Sequence, residues 1–518
     1  MESMCEEYEV VESLRPMTLS KLLEGVTVSK MFQTMFGQMV VTHDVEVSHI
    51  QYDSRHVQRG DMFVAISGSE YDGHAFIKNA VDNGAKAVVM DRDDAMPDSF
   101  FMHAGVVKIV VPNGRVALAK ISANYFNHPS DKLTLIGITG TNGKTTTTNL
   151  VRSILKEYGN TVGLIGTIEY NIGNTVIPAT HTTPESLELN DLLHRMVEQG
   201  CSSAVMEVSS HALHQHRVHG FDFTAAVFTN LTQDHLDYHS SMEEYFTAKK
   251  MLFERLELSA SAIINLDDEW GRRMINCTSA KVLSYGTNTS ADVRAVNIKL
   301  SMAGTRFAIV HKEEETLIES SMVGRFNVYN ILAAFATGIA LHILPSTIQR
   351  AIRNTTVVRG RFEQIASPKG WTAIIDYAHT PDAIEKALMA IHDVFDSSVR
   401  GRIITVFGCG GNRDRTKRPK MAQIVTELSD ITLVTSDNPR HENPDAIIDE
   451  IMAGVKSGAT VYRETDRTKT IMVALGMAKK NDVVLIAGKG HEEYQVMGNQ
   501  KIHFSDREVI EEFLRSDA

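Results

Sequence analysis

Apolar residues fall along this chain in short unbroken runs separated by amphipathic stretches, the rhythm of alternating strands and helices. In residues 1–112, Asp61–Ser67 (DMFVAIS) predicts a strand, Ala75–Gly84 a helix and Ala85–Met90 (AKAVVM) a buried strand, together a small α/β module. Residues 113–356 repeat the alternation on a larger scale. LTLIGITG (133–140) is an apolar run ending in glycine, and TTTTNLVRSILKEYG (145–159) follows as a helix stopped at Gly159. SSAVMEVSS (202–210) and FTAAVFTN (223–230) suit strands covered on both faces, so this block predicts a mostly parallel sheet flanked by helices. From Val357 onward, WTAIIDYAH, RIITVFGCGG, ITLVTSDNPR and DVVLIAGKGH each run from an apolar strand into a polar or glycine-rich tip. Open α/β sheets bind ligands at such carboxyl ends, so a second, Rossmann-like nucleotide-binding sheet is expected here. The expected fold is α/β in three domains, 1–112, 113–356 and 357–518, with residues 1–16 as an extension before a helical segment that begins at Met17.

Composition narrows the function classes. A chain of 518 residues with 43% hydrophobic and 22% charged residues suits about three folded domains with ample core. Its four scattered cysteines exclude a disulfide scaffold and lack the spacing of a structural zinc site. A formal net charge of −12 opposes binding to a nucleic-acid backbone. The acidic start MESMCEEYEVVESLRP is no signal peptide, and no apolar stretch is long enough to span a bilayer, so a cytoplasmic protein without membrane insertion is expected.

The first chemical signal is GITGTNGKTT (137–146), which joins an apolar strand to a helix. Glycines let backbone N–H groups approach phosphate oxygens, and the helix N-terminus favours anions. Gly140, Thr141, Asn142, Gly143, Lys144, Thr145 and Thr146 form the candidate loop, with Lys144 as the cation and Thr145 as a Mg²⁺ ligand. The common phosphate-loop pattern would need glycine at 138, where this chain has Ile138. A plain glycine-rich turn is the bland alternative, and even an ATP loop leaves kinase, motor ATPase, GTPase and ligase open.

The second signal is a lysine on an apolar stripe. In SMEEYFTAKKMLFERL (241–256), Ser241 and Glu244 fit a capping box, and Met242, Tyr245, Phe246, Leu252, Phe253 and Leu256 share one helical face. Lys249 lies in the middle of that face and Lys250 off it. A buried ammonium is costly unless paired or chemically altered. Lys249 is therefore either a snorkelling lysine with a wet tip or an amine carbamylated by CO₂, whose anion could approach Mg²⁺. Glu207, near the end of the MEVSS strand, and His235, in the tip LTQDHLDYH, are further metal-ligand candidates; a structural role is the alternative for each.

Taken together, GTNGKTT, HTTPES, MEVSSHALHQHRV, FTNLTQDHLDYH, YFTAKKMLF, INLDDEWG, GRFNVYNILAA, VRGRFEQI, DYAHTPDAIEKAL, FGCGGNRDRTKRP, SDNPR and AGKGHEEYQ resemble the Mur ligase family, which builds the peptide of bacterial peptidoglycan. These stretches cover nearly the whole chain in order. The resemblance implies a uridine-nucleotide domain, an ATP domain and an amino-acid domain, a monomer, and ATP with Mg²⁺. It implies an acyl-phosphate mechanism: ATP phosphorylates a substrate carboxylate, an amine attacks, and phosphate leaves an amide.

Roles follow residue by residue from that resemblance. Lys144 would contact ATP phosphates, Thr145 and Glu207 would hold metal, and His235 with carbamylated Lys249 would serve a second metal. Asn330 would contact adenine, and Arg361 and Asp376 would reach ATP from the third domain. Thr182, Thr183, Ser209, Gln215 and Arg217 match contacts to the UDP substrate. Tyr52, Ser54, Ser69, Glu70 and Tyr71 resemble its uridine end. Asp437, Asn438, Pro439 and Arg440 resemble the motif of members that add meso-diaminopimelate to UDP-N-acetylmuramoyl-L-Ala-D-Glu. A guanidinium can bind the extra carboxylate of that amino acid bidentately, from Arg440 or Arg413. Gly488 and Glu492 match contacts to its distal amino-acid group. The alternatives are other ligases of the family, folylpolyglutamate synthetase, and a nucleotide-regulated binding protein that would bind ATP without releasing phosphate.

Overall fold

The computed structural model describes residues 16–35, 38–40, 44–68, 71–288, 290–395 and 401–516. The chain divides into two units. Of the described residues, one holds Gly137–Asn160 and those from Ala225 onward; the other holds those up to Ile136 together with Thr161–Thr224.

In the unit that ends at Thr224, a six-stranded sheet runs in the order Gln38–Val40, Lys30–Met35, Val107–Val110, Ala87–Met90, Met62–Val64 and Ile50–Gln51. Its last four strands are parallel neighbours, and the two in the middle, Ala87–Met90 and Met62–Val64, are the unbroken apolar runs that suit such a sheet. The expected strand 61–67 is shorter than predicted, Met62–Val64, because the chain leaves the sheet after Ala65 bonds to Val89. The expected helix begins as a 3-10 turn, Gly73–Phe76, capped by the Asp72 side chain, and continues as the α-helix Ile77–Asp82. In the same unit, Val162–Ile165 runs parallel to Ser203–Glu207, while Glu169–Ile172 and Thr175–Pro178 add antiparallel strands.

Among its described residues, the other unit carries two large sheets and the small hairpin Tyr494–His503. In the first, Ala225–Phe228, Ser261–Asn265, Lys281–Gly286 and Val293–Ser301 are successive parallel neighbours. Gly304–His311 and Glu314–Ser320 then extend it antiparallel, a meander absent from the parallel pattern expected for this block. Here polar and apolar residues alternate along Val293–Ser301, which marks a strand with one wet face. The second sheet runs Glu363–Ala366, Thr372–Asp376, Val483–Ala487, Ile403–Phe407, Ile431–Val434 and Val461–Arg463. All but the first strand are parallel to their neighbours. Val483–Ala487 is central and wholly buried between two apolar clusters, and each of its Val, Leu and Ile side chains contributes about 1.5–3 kcal/mol. The four polar tips named from sequence therefore leave neighbouring strands at the same end of one sheet.

Candidate functional site

The glycine loop follows the strand Thr134–Thr139 and opens the helix Lys144–Glu157. Two of its positions require glycine. A Cβ at Gly140 would lie 1.8 Å from Thr229 Oγ1, and one at Gly143, whose φ is +85°, would lie 2.3 Å from Asn330 Oδ1. Neighbouring chain fixes the loop: Thr141 N donates to Asn230 O (2.8 Å), Asn142 N to Asn230 Oδ1 (3.0 Å), and Thr229 Oγ1 to Asn142 O (2.7 Å). Lys144 Nζ folds over the loop and donates to the carbonyls of Gly140 (2.9 Å) and Thr141 (2.8 Å). Buried Asn330, expected at adenine, stands beneath Gly143, receives a hydrogen bond from Thr147 Oγ1 (3.4 Å) and donates to Asn327 (3.0 Å). Thr146 is buried in the first turn of the helix.

Lys249 occupies the buried face of the helix Met242–Glu254, whose Ser241 hydroxyl caps Glu244 N at 3.2 Å. Glu244 returns its carboxylate to Ser240 N (2.7 Å), one residue before the position a capping box predicts. Lys249 is 1% exposed, whereas Lys250 is paired at the surface with Glu254. Lys249 Nζ donates to Gly140 O (2.8 Å), the carbonyl that Lys144 also uses, and lies 4.5 Å from the centre of the Tyr245 ring. Burial holds its amine well below the ordinary lysine range, and the Lys144 charge lowers it further; Asp234 opposes both. Both effects favour the neutral amine, the form that reacts with CO₂. His235, at φ +53°, is half-exposed and lies 3.4 Å from the Asp234 carboxylate, with its ring 6.0 Å from that of Tyr245.

The tips of the second sheet reach this loop. Arg361 donates to Thr145 Oγ1 (3.0 Å), and its guanidinium lies 4.7 Å from the centre of the Tyr377 ring. Asp376 accepts from Phe362 N (2.7 Å); burial pushes its carboxyl up to about 6 although Arg361 pulls the other way. Asp382, in the first turn of the helix Pro381–Val394, accepts from Asn142 Nδ2 (2.6 Å), Thr232 Oγ1 (3.1 Å) and Lys386 Nζ (2.8 Å). Sequence reasoning passed over Asp382; its acidic side chain one residue after Pro381 looks like ordinary helix-start chemistry.

The tip after Ile431–Val434 forms the second part. Asp437, Asn438 and Pro439 are buried, and Arg440 adopts φ +52°. Backbone bonds tie the tip to the hairpin Tyr494–His503: Arg440 N donates to Val496 O (3.0 Å) and Gly498 N to Arg440 O (2.7 Å). Arg440 Nη1 donates to Gly411 O (2.8 Å), while exposed Arg413 donates to Asn412 O (3.0 Å). Burial and the Arg413 charge push the Arg440 guanidinium down from its ordinary value, against the opposing pull of Asp437 and Glu492. Burial pushes the Asp437 carboxyl up, but Lys489 and Arg467 outweigh it and hold it below the usual range. A Cβ at Gly488 would meet Asp437 Oδ2 at 2.5 Å. Glu492 Oε2 receives Lys489 Nζ (3.0 Å) and Asn438 Nδ2 (2.9 Å). Lys489 was missed in the sequence, because a lysine two residues beyond an apolar strand looks like ordinary loop polarity, without the helical stripe that exposed Lys249.

In the other unit, Glu207 ends the strand Ser203–Glu207 at 1% exposure and accepts from Thr167 N (2.9 Å) and Thr167 Oγ1 (3.1 Å). Thr167 Oγ1 and Thr182 Oγ1 are 3.1 Å apart. Thr183 Oγ1 donates to Glu207 O (2.9 Å) and accepts from Ser209 N (3.1 Å). Arg217 donates to Thr183 O (2.7 Å) and to Gln215 Oε1 (2.8 Å), so five of the expected substrate contacts form one cluster with Glu207. Tyr52 donates to Glu188 Oε1 at 2.6 Å, which the sequence did not foresee. Ser54 is buried and its carbonyl accepts from Asn83 (2.8 Å); Tyr71 is exposed. Ser69 and Glu70 lie outside the described residues.

Mg²⁺ takes hard oxygen ligands. In one unit the Thr145 hydroxyl supplies that chemistry and the Lys249 amine would supply it once carbamylated; in the other, the buried Glu207 carboxylate supplies it too. Each of these donors suits the ion. Among the described residues, no three His, Cys, Asp or Glu side chains gather into a metal-holding group of their own.

Three family descriptions match the chain: the Mur ligase family catalytic domain over residues 46–126, the Mur ligase middle domain over 138–338, and the Mur ligase glutamate ligase domain over 360–490. The UDP-N-acetylmuramoyl-L-alanyl-D-glutamate--2,6-diaminopimelate ligase of Caldanaerobacter subterraneus subsp. tengcongensis is 44% identical, across 91% of this chain and 95% of its own. The ligase of the same name from Bacillus velezensis is 44% identical, across 90% and 94%. A solved structure of a UDP-N-acetylmuramoyl-L-alanyl-D-glutamate--2,6-diaminopimelate ligase matches with a TM-score of 0.64 at 30% identity, covering 91% of this chain and 95% of that one.

Proposed function

We propose for this chain, which belongs to the Mur ligase family, the ATP-dependent addition of meso-2,6-diaminopimelate to UDP-N-acetylmuramoyl-L-Ala-D-Glu in peptidoglycan precursor synthesis. The observation that carries the amino-acid assignment is Arg440, a half-buried guanidinium that feels the Arg413 charge and would be relieved by a further carboxylate. Meso-diaminopimelate differs from lysine by a carboxylate at its far carbon, so this site selects it.

A carboxylate is a poor electrophile, and phosphorylation supplies its leaving group. The glycine loop holds the ATP phosphates through its backbone N–H groups, Lys144 and the helix N-terminus, which stabilise the charge that develops on transfer. Thr182, Thr183, Ser209, Gln215 and Arg217 position the UDP substrate, with Tyr52, Ser54, Ser69, Glu70 and Tyr71 at its uridine end. Asn330, Arg361 and Asp376 complete the ATP site. Thr145 and Glu207 would serve as Mg²⁺ ligands, and His235 with carbamylated Lys249 would serve a second metal; the bound ions would neutralise phosphate charge. Asp437, Asn438, Pro439, Arg440, Arg413, Gly488 and Glu492 orient diaminopimelate. Its amine then attacks the acyl phosphate, and the tetrahedral intermediate expels phosphate. Residues 1–112, 113–356 and 357–518 serve the uridine nucleotide, ATP and the amino acid in turn, in a cytoplasmic monomer.

The test is phosphate release from ATP, Mg²⁺ and UDP-N-acetylmuramoyl-L-Ala-D-Glu with meso-diaminopimelate, L-lysine or no amino acid. Release with meso-diaminopimelate, joined by a product of the matching mass, is expected. Preference for lysine would overturn the arginine argument. No amino-acid-dependent release from folded, ATP-binding protein would favour a binding protein instead.

A further inference from the structure

The loop that leaves the strand Thr372–Asp376 is anchored on two sides. Toward the glycine loop, Arg361 lies over Tyr377 and bonds Thr145, and Asp382 bonds Asn142 and Thr232. Toward the amino-acid tips, Gly488 N donates to Asp376 O (3.0 Å), and the His491 ring lies 5.2 Å from that of Tyr377. Gly490 backs so closely on Tyr377 that an added Cβ would approach the tyrosine Cβ to 2.7 Å. Between these anchors sits His379, a residue that the phosphate and arginine chemistry above leaves unused.

The imidazole is held in one tautomer. Its Nδ1 is 2.8 Å from the Tyr377 carbonyl, and a carbonyl only accepts, so Nδ1 carries the hydrogen and Nε2 keeps its lone pair. The Tyr377 ring packs against it at 4.7 Å, close to perpendicular. Its electrostatic neighbours come from several elements: Lys417 from the helix Lys417–Leu428, Asp234 from the tip beyond Ala225–Phe228, and Arg361. His379 thus stands among charged groups of the ATP side, on a loop that Gly488 and His491 tie to the amino-acid side.

An amine cannot attack while it is an ammonium, and none of the roles assigned above removes that proton. We propose that Nε2 of His379 is the general base that takes a proton from the ammonium of the incoming amino acid. This inference rests on the ligase reading above. The proton passes from nitrogen to Nε2, giving imidazolium and a neutral amine. The amine nitrogen bonds to the acyl carbon. The tetrahedral intermediate then breaks its carbon–oxygen bond to phosphate, and that oxygen keeps the electron pair. The second nitrogen proton leaves with phosphate, and imidazolium returns the first to water. Burial lowers the histidine, and Lys417 lowers it further; Asp234 opposes them. The ring is accordingly unprotonated at neutral pH, as a base must be. The same cations disfavour the bound ammonium and so ease its deprotonation.

The experiment compares two nucleophiles on His379→Gln and on the unaltered enzyme. Hydroxylamine is neutral at neutral pH and traps an acyl phosphate as a hydroxamate without a base; meso-diaminopimelate arrives as an ammonium. The variant is expected to lose about 100-fold or more of its diaminopimelate ligation, the usual reach of a general base, while hydroxamate formation stays within threefold. Its residual ligation should climb about tenfold per pH unit toward the amine pKa, where the unaltered enzyme has levelled off. His379→Asn, which is shorter, should behave alike. Equal losses with both nucleophiles would make His379 a structural residue and overturn the proposal, as would undiminished ligation. Absence of hydroxamate from the unaltered enzyme would instead overturn the acyl-phosphate reading, and the inference with it.

Discussion

Replacing Asp376 by asparagine should stabilise the protein and impair it as a ligase. The carboxylate sits at the end of a central strand, where desolvation raises its pKa to about 6 from 3.8, against the pull of Arg361. Between those two values the folded chain keeps a proton that the unfolded chain has released. Stability therefore falls as pH rises through about 4 to 6, and the cost is complete above 6. A difference of about two pH units corresponds to about 3 kcal/mol as an upper bound. Asparagine keeps an oxygen to accept the Phe362 N–H and carries no charge, so it removes the cost and keeps the hydrogen bond. For a unit of this size that is a gain of up to roughly 4 °C in melting temperature at pH 7. Thermal unfolding of both proteins from pH 4 to pH 8 measures it. The curves should converge near pH 4 and separate by pH 7, with the variant above. A gap that ignores pH, or a less stable variant at pH 7, would refute the assignment of a destabilised carboxylate. Ligation should fall at least tenfold in the same variant, since this charge is then kept for ATP and not for the fold.

Three further outcomes are expected. Lys249→Met, which keeps the apolar face filled, should fold normally and lose at least 100-fold of ligation, with partial rescue by short carboxylic acids; full activity would end the carbamate role. Arg440→Lys should raise the KM for meso-diaminopimelate about tenfold or more and leave that for ATP within twofold, because an ammonium cannot bind a carboxylate in two-point fashion. Arg467 and Asp506 form a wholly buried pair bonded at 2.8 and 2.9 Å, so Arg467→Met should cost about 3–5 kcal/mol in thermal or urea unfolding, whereas Arg467→Met with Asp506→Leu should recover most of it.

The parts of the site legible in the sequence are those that a local pattern carries. Parallel strands buried on both faces leave unbroken apolar runs, so the four tips of the second sheet could be picked out, and Lys249 stood out against its helical stripe. The glycine loop was legible because strand, glycines and helix are contiguous. What escaped depends on distance along the chain. Asn142 and Asp382 are 240 residues apart, and Thr145 and Arg361 are 216 apart, so neither contact leaves a local trace. Glu188 reads as an ordinary helix residue until Tyr52, 136 residues earlier, is seen to bond it. The antiparallel meander of Val293–Ser320 was passed over for a different reason: its strands alternate polar and apolar residues, and the neighbouring parallel runs drew the reading toward a uniform sheet.

The central claim is that ATP activates a substrate carboxylate as an acyl phosphate before the amine arrives. UDP-N-acetylmuramoyl-L-Ala-D-Glu with ¹⁸O in its D-glutamyl carboxylates tests it most directly, with ATP, Mg²⁺ and meso-diaminopimelate and mass analysis of the released phosphate. One labelled oxygen per phosphate is predicted, left behind when the carbon–oxygen bond breaks. Unlabelled phosphate, with the full label retained in the peptide, would contradict the account.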